Sequence, residues 1–197
     1  LADKEIMRNM PRSARREGLR FLLDYYRYYS PNAGEARSCA SELGAIASWK
    51  VIGPFPNASA SGFSVDYIGE TSLKGWGIGD FAARDGRKLR WTAPDILPLA
   101  GYLRPESCLG YERWGSLFYA LGAISSEKGG AVRIRAEHRG AIAAWLDGEP
   151  LFSDAEDRKD AEFLSKPIAL AKGDHQILVK IASEESVAGF RITVEPD

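Results

Sequence analysis

Apolar side chains recur at helical spacing over the first 44 residues. They fall every three or four positions in two runs, at Leu19, Leu22, Leu23, Tyr26 and Tyr29, and then at Ala36, Cys39, Ala40 and Leu43. This spacing is the mark of an amphipathic helix. Ser30-Pro31-Asn32 interrupts the pattern, and Gly44 follows the second run as a natural helix terminator. The pattern predicts a helical hairpin over residues 1–44.

Beyond Trp49 the period changes from helical to two. Apolar and polar residues alternate over 132–137, 177–181 and 190–194, as they do in half-buried strands. Asp147-Gly148 separates two apolar runs and fits a two-residue type I′ turn, whose positive φ angles both residues tolerate. Short strands between glycine-containing turns predict an antiparallel sandwich or barrel over residues 45–197.

One predicted strand, Leu117–Leu121, is apolar on both faces. A sandwich strand needs only one buried face. We therefore expect the N-terminal helices to cover its outer face; the alternative is a central strand with an exposed aromatic side chain. Residues 57–116 otherwise suggest long loops, with one strand over 87–92.

Composition and charge narrow the class of protein. The chain has 197 residues, about one domain, and its 26 basic and 27 acidic side chains give a net charge of −1. Nucleic-acid binders are usually strongly basic, so this balance argues against such a partner. No apolar run reaches the roughly 18 residues of a membrane span. With Leu1 first and no signal peptide, the sequence suggests a mature chain or an excised fragment.

Several sequence runs together resemble a known family. They are residues 43–57, which contain the motif Trp49-Lys50-Val51-Ile52-Gly53-Pro54-Phe55, together with Gly62-Phe63, Arg90-Trp91 and residues 118–120, 144–149 and 170–180. The whole is similar to the galactose-binding-like jelly-roll domains that precede transglutaminase-like domains in large bacterial proteins. The resemblance implies a jelly-roll β-sandwich, neighbouring domains in the same polypeptide, and a periplasmic or extracellular location.

Nucleophilic catalysis finds little support in the sequence. The chain has two cysteines and two histidines, and Cys108 lies in no recognisable nucleophile motif. Cys39 belongs to the apolar helical stripe, which favours two buried thiols over a disulfide between Cys39 and Cys108. We therefore expect no enzyme activity in this chain, and any catalytic site to lie outside it.

Metal binding has one candidate segment. Asp154, Glu156, Asp157, Asp160 and Glu162 lie close together, and carboxylate oxygens suit Ca²⁺. Their spacing is not that of an EF-hand, and Arg158 and Lys159 lie among them. A solvated acidic loop is the favoured interpretation, with no cofactor predicted and Ca²⁺ as the alternative.

A saccharide site needs an aromatic platform and polar partners. Candidates in the loop-rich region and at one turn are Trp76, Tyr111, Arg113, Trp114, His138 and Arg139. Their alternative role is packing, because aromatic side chains dominate protein cores. The sequence thus favours a non-catalytic accessory module that binds a glycan or a partner domain. The alternative is a structural spacer that docks a catalytic domain, in which Trp76, Tyr111 and Trp114 are buried.

Overall fold

The computed structural model describes residues 9–29, 32–73, 76–83, 86–94, 101–109, 115–184 and 187–197. Three helices are assigned within these ranges: α1 (Arg12–Tyr28), α2 (Ala33–Leu43) and the short α3 (Pro105–Leu109). The strands are β1 (Trp49–Pro56), β2 (Asp80–Ala82), β3 (Lys88–Arg90), β4 (Ser116–Ser126), β5 (Gly130–Arg139), β6 (Ala141–Leu146), β7 (Glu149–Asp154), β8 (Ala161–Leu164), β9 (Ile168–Leu170), β10 (Gly173–Ser183) and β11 (Gly189–Pro196).

Two antiparallel sheets form a β-sandwich. Sheet I has the order β1-β4-β10-β6-β7, and sheet II has the order β11-β5-β8, with β9 also paired to β5. The main core lies between them and includes Val51, Phe118, Val179, Ile134 and Phe190, none of which is exposed. The predicted β-sandwich with an N-terminal helical hairpin is confirmed.

The outer face of sheet I is also apolar. Tyr119 and Leu178 are fully buried there in a second cluster, beneath the loops and the β2–β3 hairpin that follow β1. The expectation that the N-terminal helices cover this face was wrong. A strand with two apolar faces shows that a cover exists, but it does not show which segment supplies that cover.

A buried polar group ties this cover to sheet I. Lys180 is only 1% exposed, and its Nζ donates to the Glu70 carboxylate at 2.6 Å and to the Val65 carbonyl at 2.8 Å. The Tyr119 hydroxyl donates to the same Glu70 oxygen at 2.6 Å. Charges in an apolar setting need such partners, so the loop that carries Val65 and Glu70 is held against the sheet.

The helical hairpin covers sheet II instead. Leu19, Leu23 and Tyr26 of α1 pack against the predicted apolar stripe of α2, and Gly44 ends α2 in a left-handed conformation, as predicted. Tyr29 differs from the prediction, since it is 79% exposed. The end of the hairpin is joined to β11 because the Val194 N–H donates to the Gly44 carbonyl and the Ile46 N–H donates to the Ile192 carbonyl, both at 2.9 Å.

Charged side chains fill the space between α1 and sheet II. Glu195 of β11 accepts from Arg20 and Arg135, both at 2.8 Å, and pairs with Arg16 at 3.0 Å. Burial by itself would raise the pKa of Glu195, but the hydrogen bond from Arg135 and the charges of Arg16, Arg135 and Arg20 lower it. Arg191, with a side chain that has no exposed surface, pairs with Glu137 and lies 3.6 Å from Asp24.

The Asp147-Gly148 turn is confirmed. It joins β6 to β7, and its two residues have φ angles of 51° and 88°. Cys39 and Cys108 are not disulfide-bonded; Cys39 is buried and Cys108 half-buried. Both therefore remain thiols, as the helical stripe favoured.

We predict that Gly148→Val destabilises the protein by about 1–3 kcal/mol. A β-branched residue is strained at positive φ, and the new Cβ would lie 3.3 Å from the Thr71 carbonyl oxygen. The free energy of unfolding from denaturant titration measures the effect. Glu149→Val places the same side chain at the next position, an exposed strand residue, and should change stability little. Equal losses in both variants would contradict the turn-strain explanation.

We predict that Glu195→Gln lowers the free energy of unfolding near neutral pH by about 1.5–3 kcal/mol, because charged hydrogen bonds are lost. The folded pKa of Glu195 lies below its unfolded value. Its contribution is therefore present above the unfolded pKa, about 4.3, and disappears as pH falls through the folded pKa. Wild type should lose more stability than the variant on acidification. Glu156→Gln, at an exposed surface pair, is the control and should match wild type.

Candidate functional site

Trp76 does not offer a binding platform. It is 4% exposed, and its indole N–H donates to the Gly69 carbonyl at 3.1 Å. Its ring belongs to the apolar cover of sheet I. This corrects its assignment as an exposed saccharide contact and agrees with the packing alternative for this residue.

His138 and Arg139, adjacent on β5, point in opposite directions. His138 is 3% exposed and lies on the core side, where its Nδ1 is 2.9 Å from the Gly140 carbonyl. Burial lowers the pKa of His138. Its imidazole is therefore a core group, which corrects its assignment as an exposed polar contact. Arg139 lies on the outer face and donates to Asp160 at 3.1 Å and to the Lys159 carbonyl at 2.6 Å.

Tyr111, Arg113 and Trp114 lie outside the described residues. The next described residue, Gly115, donates its N–H to the Ser183 carbonyl at 3.2 Å. Ser183 in turn donates to Asp157 at 2.9 Å. Gly115 is thus at the same end of the sandwich as Arg139 and the 154–160 loop.

A cavity of about 420 Å³ opens on the outer face of sheet II at this end. Four carboxyl residues, a tyrosine, a histidine and an alanine line it: Asp24, Glu137, Asp160, Glu162, Tyr102, His138 and Ala161. We call it the acidic cavity. Its volume falls within the roughly 300–1,000 Å³ of small-molecule sites.

Three distant parts of the chain build the acidic cavity. Asp24 comes from α1, and Glu137 and Glu162 face each other across the β5–β8 pair. Tyr102 is held by its hydroxyl, which donates to the Gly189 carbonyl at 2.9 Å. The ring is 8% exposed, so it forms a wall of the cavity and not a stacking platform.

Arginines pair with these carboxylates from outside the lining. Glu137 is paired with Arg191, and Glu162 with Arg135. Neither guanidinium lines the cavity among the described residues, so the lining presents carboxylate oxygens, which accept hydrogen bonds. The Glu137 Oε1 atom is buried and has no partner within the described part of the chain. The cavity therefore suits a neutral or cationic ligand rich in hydrogen-bond donors.

The acidic loop over 154–162 is held by ion pairs and side-chain hydrogen bonds. Asp154 and Glu156 pair with Arg158 at 2.5 and 2.9 Å, and Asp157 accepts from Ser183. Among the residues that the structure describes, no group of three or more His, Cys, Asp or Glu side chains is placed to hold a metal ion. These contacts fit the solvated, ion-paired loop favoured by the sequence.

The thiols and imidazoles are engaged separately. Burial raises the pKa of the Cys108 thiol, which favours its protonated, unreactive form. His175 contacts Asp147 at 2.6 Å across the β6–β7 turn. Over the described ranges no histidine is hydrogen-bonded to a thiol, so this part of the chain shows no nucleophile–base pair of the kind that thiol hydrolases require.

Sequence reasoning missed most of the acidic cavity. Asp24 is an ordinary polar position on a helix, and Glu137 looks like the solvent face of an alternating strand. Of the lining residues, the sequence predicts His138 as a polar saccharide contact, and it indicates Asp160 and Glu162 only as members of a possible Ca²⁺ ligand group. Convergence of these side chains depends on how the hairpin lies on sheet II, and no local pattern encodes that.

No protein-family model and no curated protein matches this chain. No helix in the described ranges is both long and apolar enough to pass through a membrane.

Solved structures offer only remote likenesses. A PA14 sugar-binding domain from an RTX adhesin has a TM-score of 0.43 and 8% identity, covering 76% of this chain and 89% of that domain. A β-glucosidase from Kluyveromyces marxianus has a TM-score of 0.37 and 16% identity over 42% of this chain and only 12% of the glucosidase. A family 35 carbohydrate-binding module from an environmental isolate has a TM-score of 0.31 and 9% identity over 40% of this chain and 66% of the module. All three scores are below 0.5, so the fold and the site are argued from this chain's own geometry.

Glu106 of α3 is a buried carboxyl group at the same end of the sandwich as the acidic cavity. It is 5% exposed, its Oε1 accepts from the Ala188 N–H at 3.4 Å, and its Oε2 has no partner in the described part of the chain. Burial raises the pKa of Glu106 to about 7, against the opposing effects of the Ala188 N–H and the Arg104 charge. Folding therefore favours the protonated side chain.

We predict that Glu106 makes stability fall as pH rises from about 4.3 to about 7. Over that interval the unfolded chain loses the Glu106 proton while the folded chain keeps it. Glu106→Gln should remove this fall and stabilise the protein at alkaline pH by up to about 3 kcal/mol. Denaturant titrations at several pH values measure it, with Glu127→Gln, at an exposed site, as the control. Parallel pH profiles for wild type and Glu106→Gln would contradict the prediction.

Proposed function

We propose that this chain is a non-catalytic accessory module of a larger bacterial envelope or secreted protein, and that it binds a saccharide in the acidic cavity. The proposal includes the jelly-roll, galactose-binding-like class and a neighbouring transglutaminase-like domain, both implied by the sequence resemblance. The observation that carries the binding proposal is the cavity itself, which is lined by the carboxyl side chains of Asp24, Glu137, Asp160 and Glu162.

The chemistry of saccharides fits this lining. Sugar hydroxyls donate hydrogen bonds, and ionised carboxylate oxygens are strong acceptors for them. Asp160, Asp24 and Glu162 are the more exposed carboxylates, with 72%, 52% and 48% of their side-chain surfaces accessible. A ligand in the cavity therefore reaches Asp160 and Glu162 without displacing the hairpin.

Aromatic stacking is assigned in this proposal to the segment before Gly115. In this proposal Tyr111 and Trp114 supply the platform and Arg113 a polar contact. A single platform gives weak binding, so we expect a dissociation constant near the millimolar range, about −4 kcal/mol.

A glycan array probed with the purified chain, followed by calorimetric or NMR titration of the hits, tests the proposal. Asp160→Asn and Glu162→Gln should each weaken binding about tenfold, because a charged hydrogen bond is worth roughly 1.5–3 kcal/mol. Trp114→Ala should weaken it further. Asp174→Asn makes the same chemical change at an exposed residue where β10 begins, at the other end of the sheet, and should bind like wild type. Absence of binding to any glycan, or equal affinity in all variants, would contradict the proposal.

A spacer that docks a partner is the second candidate function. Burial of Trp76 favours it, since a glycan platform at that position is lost. A row of exposed aromatic side chains on α1, formed by Phe21, Tyr25 and Tyr29, favours it as well.

A further inference from the structure

Helix α1 carries a second apolar face that points away from the sandwich. Its aromatic members are Phe21, Tyr25 and Tyr29, with 73%, 45% and 79% of their surfaces exposed. The stripe continues toward the helix N-terminus through Gly18 and Ala14, at helical spacings of three and four. We call these five residues the outer stripe.

The outer stripe is distinct from the faces of α1 that are already in use. Leu19 and Leu23 face α2, and Arg16 and Arg20 reach Glu195 on sheet II. A surface helix of a globular domain normally has one apolar face, with charged residues opposite it. Here the side opposite the core is aromatic, and exposed aromatic rows of this kind mark interaction surfaces.

The shape of the outer stripe fits a helix. It is one side chain wide and runs about 22 Å, at 1.5 Å per residue from Ala14 to Tyr29. Tyr25 and Tyr29 are stacked, with ring centroids 6.1 Å apart and an interplanar angle of 27°. The aromatic side chains at one end of the stripe form a ridge, and Ala14 and Gly18 at the other end leave a groove. Helices pack by fitting the ridges of one into the grooves of the other.

Charge along one edge of the outer stripe specifies the partner further. Glu17 and Asp24 follow that edge; Glu17 is exposed and has no salt bridge within the described part of the chain, and Asp24 keeps 52% of its side chain exposed. Two copies of the helix packed antiparallel would bring these acidic edges together, which is unfavourable. A basic edge on the partner is the complementary arrangement.

We propose that the outer stripe of α1 docks an amphipathic helix that has an apolar face and lysine or arginine residues along its edge. The partner contacts Phe21, Tyr25 and Tyr29 with its apolar face and places its basic residues opposite Glu17 and Asp24. This surface shares Asp24 with the lining of the acidic cavity, whereas the saccharide contacts Asp160 and Glu162 lie outside it.

Two synthetic peptides of about 18 residues, with the same leucine face and with either lysine or glutamate edges, are the probes for the full chain. We expect the lysine peptide to bind at least about tenfold more tightly than the glutamate peptide. Phe21→Ser combined with Tyr25→Ser should abolish binding. Leu73→Ser combined with Ile78→Ser removes exposed apolar side chains elsewhere and is the matched control.

Glu17→Lys separates charge recognition from simple hydrophobic adhesion. It lies on an exposed helix position, and we expect it to reduce the preference for the lysine peptide several-fold while the melting temperature is unchanged. Equal affinity for the two peptides, or no binding of either, would overturn the proposal. Sedimentation that shows a dimer of the chain, converted to monomer by Phe21→Ser with Tyr25→Ser, would also overturn it, because the face would then belong to a second copy.

Discussion

The guanidinium of Arg191 is fully buried, and the architecture around sheet II follows from the need to pair this group with carboxylates. A guanidinium loses much of its hydration when it is buried, and only paired acceptors compensate for that loss. Glu137 from the neighbouring strand and Asp24 from α1 provide them. The hairpin is thus held where it is by electrostatics as well as by apolar contact, and the acidic cavity lies where these carboxylates emerge from beneath the helix.

The two sheets are covered by opposite chemistry. The cover of sheet I is apolar and includes Trp76, with Lys180 and Glu70 as a polar inclusion. The cover of sheet II is ionic, because Glu195 forms ion pairs with Arg16, Arg20 and Arg135. An apolar cover excludes water from the face of the sheet, whereas an ionic cover leaves charged groups at its margin. The acidic cavity lies at such a margin, on the outer side of sheet II.

Local sequence patterns predicted the helices, the strands and the turn well, but they did not predict which segments cover the outer faces of the two sheets. Helical spacing, strand alternation and the Asp147-Gly148 turn depend on near neighbours in sequence, and each of them matches the structure. The cover of sheet I comes from a segment with no period, so burial of Trp76 could not be distinguished from exposure. Asp24 and Glu162 meet only because the hairpin packs on sheet II, and Asp24 has no neighbours in sequence that would single it out. Phe21 and Tyr25 stay exposed, and periodicity alone does not show which apolar face of a helix finds a partner.

The ion pair between Lys180 and Glu70 constrains how this sequence can diverge. Lys180 lies in the centre of β10, and Glu70 lies in a loop far earlier in the chain, yet their side chains meet at 2.6 Å in a buried setting. Removing either partner alone leaves an unpaired buried charge, at a cost of about 3–5 kcal/mol, whereas replacing both with well-packed apolar residues is often neutral. Drift by single substitutions is therefore blocked at both positions. Among descendants of this sequence we therefore expect Lys180 and Glu70 to be retained together or replaced together, although they are 110 residues apart in sequence.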